Sequence, residues 1–207
     1  NYTSDEDDEE DDDEDGKSEG VTLATDEDDG EILYICTVCG DSRTEVIPRI
    51  ASVTLSCTKY TYDGKVKKPS VKAVDKKGNV ISSSYYTVTY EDNKNAGTAT
   101  VTVTFKDKYD ADIDKEFTIA KASQSISAKV SSKSYKKATV AKKAQTFSIG
   151  AKAKCSLSYK SSSKYVTVSS KGTVKKGAPK GTYKITITTK KSSNYNTATK
   201  TVTVKVV

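Results

Sequence analysis

Short runs in which apolar and polar residues alternate are the feature that most constrains the fold of this chain. Residues 98–105 read Thr-Ala-Thr-Val-Thr-Val-Thr-Phe, and residues 182–188 read Thr-Tyr-Lys-Ile-Thr-Ile-Thr. A period of two places one face of a strand in a core and the other face in water. Turn signals rich in Gly and Asn separate the runs. The pattern predicts an all-β fold.

The alternating runs form two groups, residues 51–120 and residues 121–207. In each group a Gly-Thr pair opens a long strand, at Gly97-Thr98 and at Gly181-Thr182, and a final strand ends the group. Several short strands spaced by turns are typical of β-sandwiches, and each group is long enough to build a modest core. We therefore predict two tandem sandwich domains with a boundary near Ala120.

Charge is strongly polarised along the chain. Residues 1–31 hold 17 Asp and Glu and one Lys, whereas residues 121–207 hold 20 Lys and no Asp or Glu. Dense like charges without apolar residues favour disorder, so we expect residues 1–31 to be an acidic disordered linker. Capture of Ca²⁺ by the clustered carboxylates and docking on the basic end of the chain are the alternatives.

Residues 32–50 carry the sequence Cys36-Thr-Val-Cys39-Gly40 between two apolar runs, which predicts a hairpin connector with the cysteines at its turn. Cys36 and Cys39 are candidates for a local disulfide or a remnant metal knuckle. Two thiolates are half of a structural zinc site, which needs four N or S ligands. A redox pair normally lies at a helix N-terminus, and no helix is predicted here.

Asp110, Asp112 and Asp114 place carboxylates on alternate residues and are weak metal candidates. They resemble the opening of a calcium loop, but the Gly and Glu that such a loop needs at its sixth and twelfth positions are absent. A solvent-facing turn and strand face is the preferred interpretation.

The lysines of residues 121–207 are the candidates for binding a polyanion by general electrostatic attraction. The alternative is that they only form a solvated surface. Paired lysines mark the candidate positions: Lys136, Lys137, Lys142, Lys143, Lys175, Lys176, Lys190 and Lys191. This region has no Arg, and its tyrosines fall at core-like positions, which argues against nucleic acid. Anionic cell-wall polymers, anionic glycans and a host surface protein are the predicted partners.

The composition also bears on catalysis and on membranes. The chain has no His, and residues 121–207 have no carboxylate, so neither the commonest general base nor a carboxylate pair is available there. We predict that the chain is not an enzyme and uses no cofactor. No run of residues approaches the ~20 apolar residues that span a bilayer.

Several stretches resemble known bacterial modules. Residues 53–71 and 86–103 are similar to an immunoglobulin-like module found in tandem in clostridial and lachnospiral cell-surface proteins. Residues 157–163, 166–174, 181–187 and 194–200 resemble a related group of such repeats, and residues 34–47 resemble the end of a small Cys-x-x-Cys-Gly module. The matching signature positions of the first module are Tyr60, Tyr62, Asp63, Gly64, Lys68, Pro69, Asn95, Ala96, Gly97 and Thr98.

The resemblance implies immunoglobulin-like sandwiches at a bacterial cell surface, and such modules act as stalks, spacers or adhesive surfaces. The leading hypothesis is therefore a non-catalytic extracellular structural or adhesive module. A passive accessory tail of a secreted enzyme, and a Zn²⁺- or Ca²⁺-dependent binding protein, are the two alternatives.

Overall fold

The computed structural model describes residues 17–207 and the side chains from Gly20 onward. Strands dominate this part of the chain, with one 3-10 turn at Ser83–Tyr85 and one short helix, α1 (Lys137–Lys142). In chain order the strands are β1 (Lys17–Thr22), β2 (Gly30–Ile35), β3 (Ser42–Ile47), β4 (Ile50–Leu55), β5 (Lys59–Thr61), β6 (Val71–Asp75), β7 (Tyr86–Glu91), β8 (Gly97–Phe105), β9 (Asp112–Ala120), β10 (Ser132–Tyr135), β11 (Gln145–Ser148), β12 (Leu157–Ser161), β13 (Val166–Val168), β14 (Lys171–Val174), β15 (Gly181–Thr189) and β16 (Thr199–Val206). The prediction of an all-β fold is confirmed.

The chain divides into two compact units. The first contains residues up to Thr58, Lys68–Glu91 and Thr100–Glu116, and the second contains Lys59–Lys67, Asp92–Ala99 and Phe117–Val207. Three segments of the predicted first sandwich, Lys59–Lys67, Asp92–Ala99 and residues 117–120, therefore cluster with the C-terminal strands. The predicted boundary near Ala120 stays a prediction.

The first unit begins with a three-stranded antiparallel sheet in the order β1-β2-β3. The strands β2 and β3 form a hairpin whose turn carries Cys36 and Cys39, with Ile35 opposite Ser42. Gly30 is required where β2 begins, because a Cβ there would lie 2.4 Å from the carbonyl oxygen of Thr22.

This sheet differs from the expectation of a disordered linker over residues 1–31; the part up to residue 16 lies outside the described residues. Within 17–31, Val21 of β1 pairs with Ile32 of β2, and Ala24 is fully buried. The acidic loop that follows is stabilised locally, since the Thr25 hydroxyl accepts hydrogen bonds from the backbone N–H groups of Glu27 and Asp28 at 3.0 and 2.9 Å. Charge density alone therefore does not predict disorder where apolar residues pair.

Residues 50–120 form a two-stranded sheet, β4-β6, and a four-stranded sheet in the order β5-β9-β8-β7. Strand β8 shows the predicted alternation, with Ala99, Val101, Val103 and Phe105 all buried. The edge strand β5 runs parallel to β9, with Tyr60 opposite Ile119.

Residues 121–207 form a four-stranded sheet, β10-β16-β15-β12, and a three-stranded sheet, β11-β14-β13. Their core is a single apolar cluster that includes Ile185 and Ile187 of β15 and Val202 and Val204 of β16, all fully buried. Gly172 lets β14 approach the Phe147 ring, since a Cβ there would meet ring carbons at 2.5 Å.

An alanine ahead of each sandwich makes the same one-residue parallel bridge. In the first unit the Ala24 N–H donates to the carbonyl of Lys108 at 3.0 Å, and Asp110 N–H donates to the Ala24 carbonyl at 2.8 Å. In the second unit Ala122 N–H donates to Asn194 and Asn196 N–H donates to Ala122, each at 2.9 Å. The two bridges face Tyr109 and Tyr195 respectively.

Candidate polyanion-binding surface

The helix α1 gathers lysines at one end of the second unit. Its anchor is Val140, which is fully buried, while Lys136, Lys142 and Lys143 are exposed. The helix follows from local composition, because Ala and Lys are good helix formers and one apolar residue per turn can face the core. Lys142 lies in the last turn, where its charge is favourable to the helix dipole.

Hydrogen bonds fasten α1 to the turn between β14 and β15. The Lys137 Nζ donates to the carbonyls of Gly177 and Ala178 at 3.3 and 3.0 Å, and Gly177 N–H donates to the Val140 carbonyl at 3.1 Å. Gln145 pairs with Val174, so residues 143 and 176 extend from the same end of that strand pair. The structure thereby brings the helix lysines and the turn lysines together.

We name this surface the distal lysine cluster and define it by the lysines of α1, of the residues that flank it, and of the turn between β14 and β15. Its exposed members are Lys136, Lys142, Lys143, Lys175, Lys176 and Lys180. Lys137 is half-buried and serves as the internal link between helix and turn. Sequence reasoning missed Lys180, which precedes β15 directly and could have been found only from the position of the turn.

Lys190 and Lys191 belong to the other end of the same sheet. Lys180 precedes β15 and Lys190 follows it, and nine strand residues span about 27–30 Å. Lys191 instead lines a shallow pocket of about 340 Å³ with Lys121 and Tyr195, and Lys121 Nζ donates to the Ser192 carbonyl at 2.9 Å. The eight predicted lysines therefore form two separate groups.

A wider groove of about 690 Å³ lies on the same unit and was not predicted. Ser123, Gln124 and Ser127 line it together with Lys152 and Lys154. The Gln124 side chain fixes one wall, because its Nε2 donates to the Asn196 carbonyl at 2.9 Å and its Oε1 accepts from the Cys155 N–H at 3.2 Å. Its lysines add positive charge outside the distal lysine cluster.

The electrostatics of the distal lysine cluster follow from its sequence. Residues 117–207 contain no Asp or Glu side chain, so no nearby carboxylate within these segments can neutralise the lysines. Clustered cations on a surface raise the local concentration of anions, and salt screens this attraction over about 8–10 Å.

The turn between β2 and β3 holds Cys36 and Cys39, both of them thiols in this structure. The Cys39 backbone N–H donates to Cys36 Sγ at 3.4 Å. Hydrogen bonds from the Cys39 backbone, the Cys39 side chain and the Val38 backbone lower the pKa of Cys36 to about 7. The hydrogen bond to Cys36 raises the pKa of Cys39. The two shifts make Cys36 the more acidic thiol of the pair, and the predicted disulfide stays a prediction.

The aspartates of β9 lie on its outer surface. Asp112 and Asp114 are exposed, and Asp114 Oδ1 accepts a hydrogen bond from the Thr102 hydroxyl at 2.7 Å. Asp110 uses its backbone N–H in the bridge to Ala24. Among residues 17–207, no group of three or more Cys, Asp or Glu side chains is placed to hold a metal ion. The same residues contain no helix long and apolar enough to cross a membrane.

No protein-family model matches the chain, and no curated protein matches it either. Among solved structures, the N-terminal Ig1-2 module of the Drosophila receptor protein tyrosine phosphatase DLAR is similar with a TM-score of 0.30 and 9% identity, covering 77% of this chain and 98% of that chain. The N-terminal four Ig domains of Dscam1 isoform 8.4 are similar with a TM-score of 0.32 and 10% identity, covering 86% of this chain and 55% of that chain. The S-layer protein rSbsC(31-844) is similar with a TM-score of 0.30 and 16% identity, covering 86% of this chain and 32% of that chain. At these values the similarities assign neither a family nor a function.

Proposed function

We propose that this chain is a non-catalytic structural and adhesive part of an extracellular bacterial surface protein, and that the distal lysine cluster binds an anionic polymer. The observation that carries the proposal is the gathering of six exposed lysines on α1 with its flanking residues and on the turn between β14 and β15, in segments without an Asp or Glu. Cell-wall polymers rich in phosphate and anionic glycans have the charge that such a surface attracts.

The chemistry of lysine supports loose rather than shape-specific recognition. An ammonium group is a compact, strongly hydrated charge on a flexible stem, and it lacks the planar fork with which Arg grips a single phosphate. Lysines on a fixed helix and turn therefore suit a repeating polyanion, which offers many equivalent charges.

The test compares two variants that each lose four positive charges. In the distal variant the Gln substitutions are Lys142→Gln, Lys143→Gln, Lys175→Gln and Lys176→Gln. In the control variant they are Lys152→Gln, Lys154→Gln, Lys190→Gln and Lys191→Gln. All eight lysines are exposed, so both proteins should fold. Retention on immobilised poly(glycerol phosphate) and on heparin is measured over a range of salt concentrations.

We expect the distal variant to elute at much lower salt than the control variant, with a weaker salt dependence because fewer counterions are released. Equal loss of retention in both variants would mean that net charge alone causes binding, and the proposed site would then be wrong. Retention that is independent of salt would exclude the electrostatic mechanism altogether.

Removing residues 1–16 tests whether the acidic tract regulates this surface. The truncation leaves β1 intact and removes most of the negative charge of the N-terminal region. If the tract masks the lysines, the truncated protein binds the polymer more tightly at low salt. Unchanged binding would identify the tract as a spacer.

A further inference from the structure

The N-terminal sheet β1-β2-β3 has two edge strands that differ in regularity. The pairing of β1 with β2 shifts register between Ser18 and Gly20, and such a bulge distorts an edge and discourages further pairing. Strand β3 pairs with β2 in unbroken register from Ser42 to Ile47, and its residues 42–46 are all exposed. A regular, uncovered edge of this kind can accept another strand.

The hydrogen bonds between β2 and β3 indicate which backbone groups of β3 face outward. Cys36 N–H donates to the Asp41 carbonyl at 2.8 Å, directly beyond the two strands. Because every second residue pair of an antiparallel ladder is hydrogen-bonded, the N–H and C=O groups of Ser42, Thr44 and Val46 point away from β2. In the described part of the chain these groups make no backbone hydrogen bond outside the strands. The edge therefore offers a row of free donors and acceptors.

The β3 strand of a second copy fits this edge when it runs antiparallel and is centred on Thr44. A two-fold axis there places each Thr44 opposite the other and each Ser42 opposite a Val46, so every outward-facing backbone group is paired. Arg43 of each copy then lies opposite Glu45 of the other copy. These are the non-hydrogen-bonded pairs, in which side chains approach most closely, and opposite charges there are stabilising.

Tyr34 of β2 holds these two charged side chains on one face of the sheet. The Arg43 guanidinium lies over the Tyr34 ring, 4.7 Å from its centroid, and the Tyr34 hydroxyl donates to Glu45 Oε2 at 3.3 Å. A positive and a negative residue two positions apart are complementary to the same sequence running in the opposite direction. The charge pattern of β3 thus favours a second copy of this chain as its partner.

We propose that β3 is a homotypic docking strand, through which two copies of this chain form a two-fold dimer with one continuous β-sheet. A single short strand buries far less than the roughly 1,200–2,000 Å² of stable protein complexes, so the dimer is weak and forms where copies are crowded. The dimer is independent of the distal lysine cluster, because it needs no polyanion. Failure of one proposal therefore leaves the other intact.

The first test reverses the charges on β3 of the full chain. Arg43→Glu and Glu45→Arg each place like charges opposite one another at both symmetry-related positions, whereas the double variant restores opposite charges. Lys72 is exposed on β6, so Lys72→Glu is a control with the same charge change as Arg43→Glu. Sedimentation velocity over a concentration series measures dimer formation in reducing buffer at about 0.15 M salt, where repulsion between the acidic N-terminal segments is screened.

We expect the dimer dissociation constant to rise roughly tenfold in each single variant and to return to its original value in the double variant. Lys72→Glu should leave it unchanged. A chain that stays monomeric throughout the series, or a double variant as weak as the single ones, would overturn the proposal. Self-association lost only in the distal variant would identify a contact between the acidic segment and the lysines instead, and would equally exclude the β3 dimer.

The second test retains Arg43 and Glu45 and therefore decides the matter even if the charge variants lose the hairpin. In a background where the four native cysteines are Ser, Thr44→Cys places two thiols across the two-fold axis, with Cα atoms about 5.5 Å apart, within reach of a disulfide. Ser42→Cys is the control, because the two copies of residue 42 lie four residues apart along the strands, roughly 13 Å. With oxidised glutathione, covalent dimers should form at least about tenfold faster for Thr44→Cys. Equal rates for the two variants would show that the proposed pairing is wrong.

Discussion

The N-terminal sheet β1–β3 and the C-terminal sandwich are both built from paired strands, but different forces hold them. The sheet buries few apolar side chains, Ala24 and Ile47 among them, and its loop depends on carboxylate contacts. Asp29 accepts a hydrogen bond from the Arg49 N–H at 2.8 Å and forms an ion pair with Lys76. The C-terminal sandwich has a continuous apolar core and no Asp or Glu in residues 117–207. Within residues 17–207, this polarised sequence therefore folds with polar contacts in its N-terminal sheet and apolar burial in its C-terminal sandwich.

The largest expected effect is on the core of the C-terminal sandwich. Ile185 is fully buried, so Ile185→Ala should lower the free energy of unfolding by about 2–5 kcal/mol through lost burial and a residual cavity. Thr182 is exposed in the same strand, and Thr182→Ala should change the free energy of unfolding by less than about 0.5 kcal/mol. Urea unfolding followed by residue-resolved NMR measures both. If the two variants matched, the apolar core would not be what stabilises this sandwich.

A smaller effect is expected from overpacking the N-terminal sheet. Gly30→Ala places a Cβ within 2.4–2.8 Å of the backbone of Thr22, Leu23 and Ala24, which should cost about 1–3 kcal/mol. Gly20 has no heavy atom within 4 Å of an added Cβ, so Gly20→Ala serves as the matched control. Amide hydrogen exchange of β2 should rise in the first variant only. Equal protection in both would contradict the close approach.

We expect acid to destabilise the first unit more than the C-terminal sandwich. The hydrogen bond and charge of Lys76 hold the pKa of Asp29 below its ordinary value. Burial alone would raise the pKa of Asp75, but hydrogen bonds from Asn79 and Lys77 outweigh it and leave that pKa lowered. A lowered folded-state pKa contributes stability above the unfolded value of about 3.9, and this stability is lost as pH falls through the folded pKa.

We therefore expect the unfolding midpoint of the first unit to fall between about pH 5 and pH 2, with a much smaller change in the C-terminal sandwich. Urea titrations at each pH, read from amide signals of β6 and β15, measure the two transitions separately. Asp29→Asn should flatten part of the pH dependence of the first unit. An equal fall of the unfolding midpoint with pH in the first unit and in the C-terminal sandwich would contradict this prediction.

The smallest effect on stability is expected at the turn of the N-terminal sheet. Cys36 has a pKa lowered to about 7 by hydrogen bonds from Cys39 and Val38, so its alkylation by iodoacetamide should rise steeply through neutral pH. Cys39→Ala removes the side-chain hydrogen bond and should move this rise to higher pH. Mass spectrometry of the labelled peptide gives the profile. A Cys36 profile unchanged by Cys39→Ala would mean that the backbone N–H groups alone lower the pKa.

Sequence periodicity was sufficient for the strands that lie in a core. The alternation in β8 and β15 predicts their buried residues, because burial of one strand face requires a period of two. The helix α1 was missed, since its six residues are too few to show a helical period and only Val140 is buried. The sheet β1–β3 was missed in part, because acidic residues outnumber apolar ones in the segment that contains β1 and its loop.

The candidate surface was predicted in its charge and not in its geometry. The sequence by itself determined the all-β class, the excess of lysine after residue 120 and the absence of carboxylates there. The tertiary structure decided which lysines lie together, because the link from Lys137 to Gly177 joins segments 40 residues apart and β15 separates Lys180 from Lys190. It also decided that β5 runs parallel to β9 and that β10 runs parallel to β16. Periodicity specifies which face of a strand is buried, whereas the partner and direction of a strand depend on contacts distant in sequence.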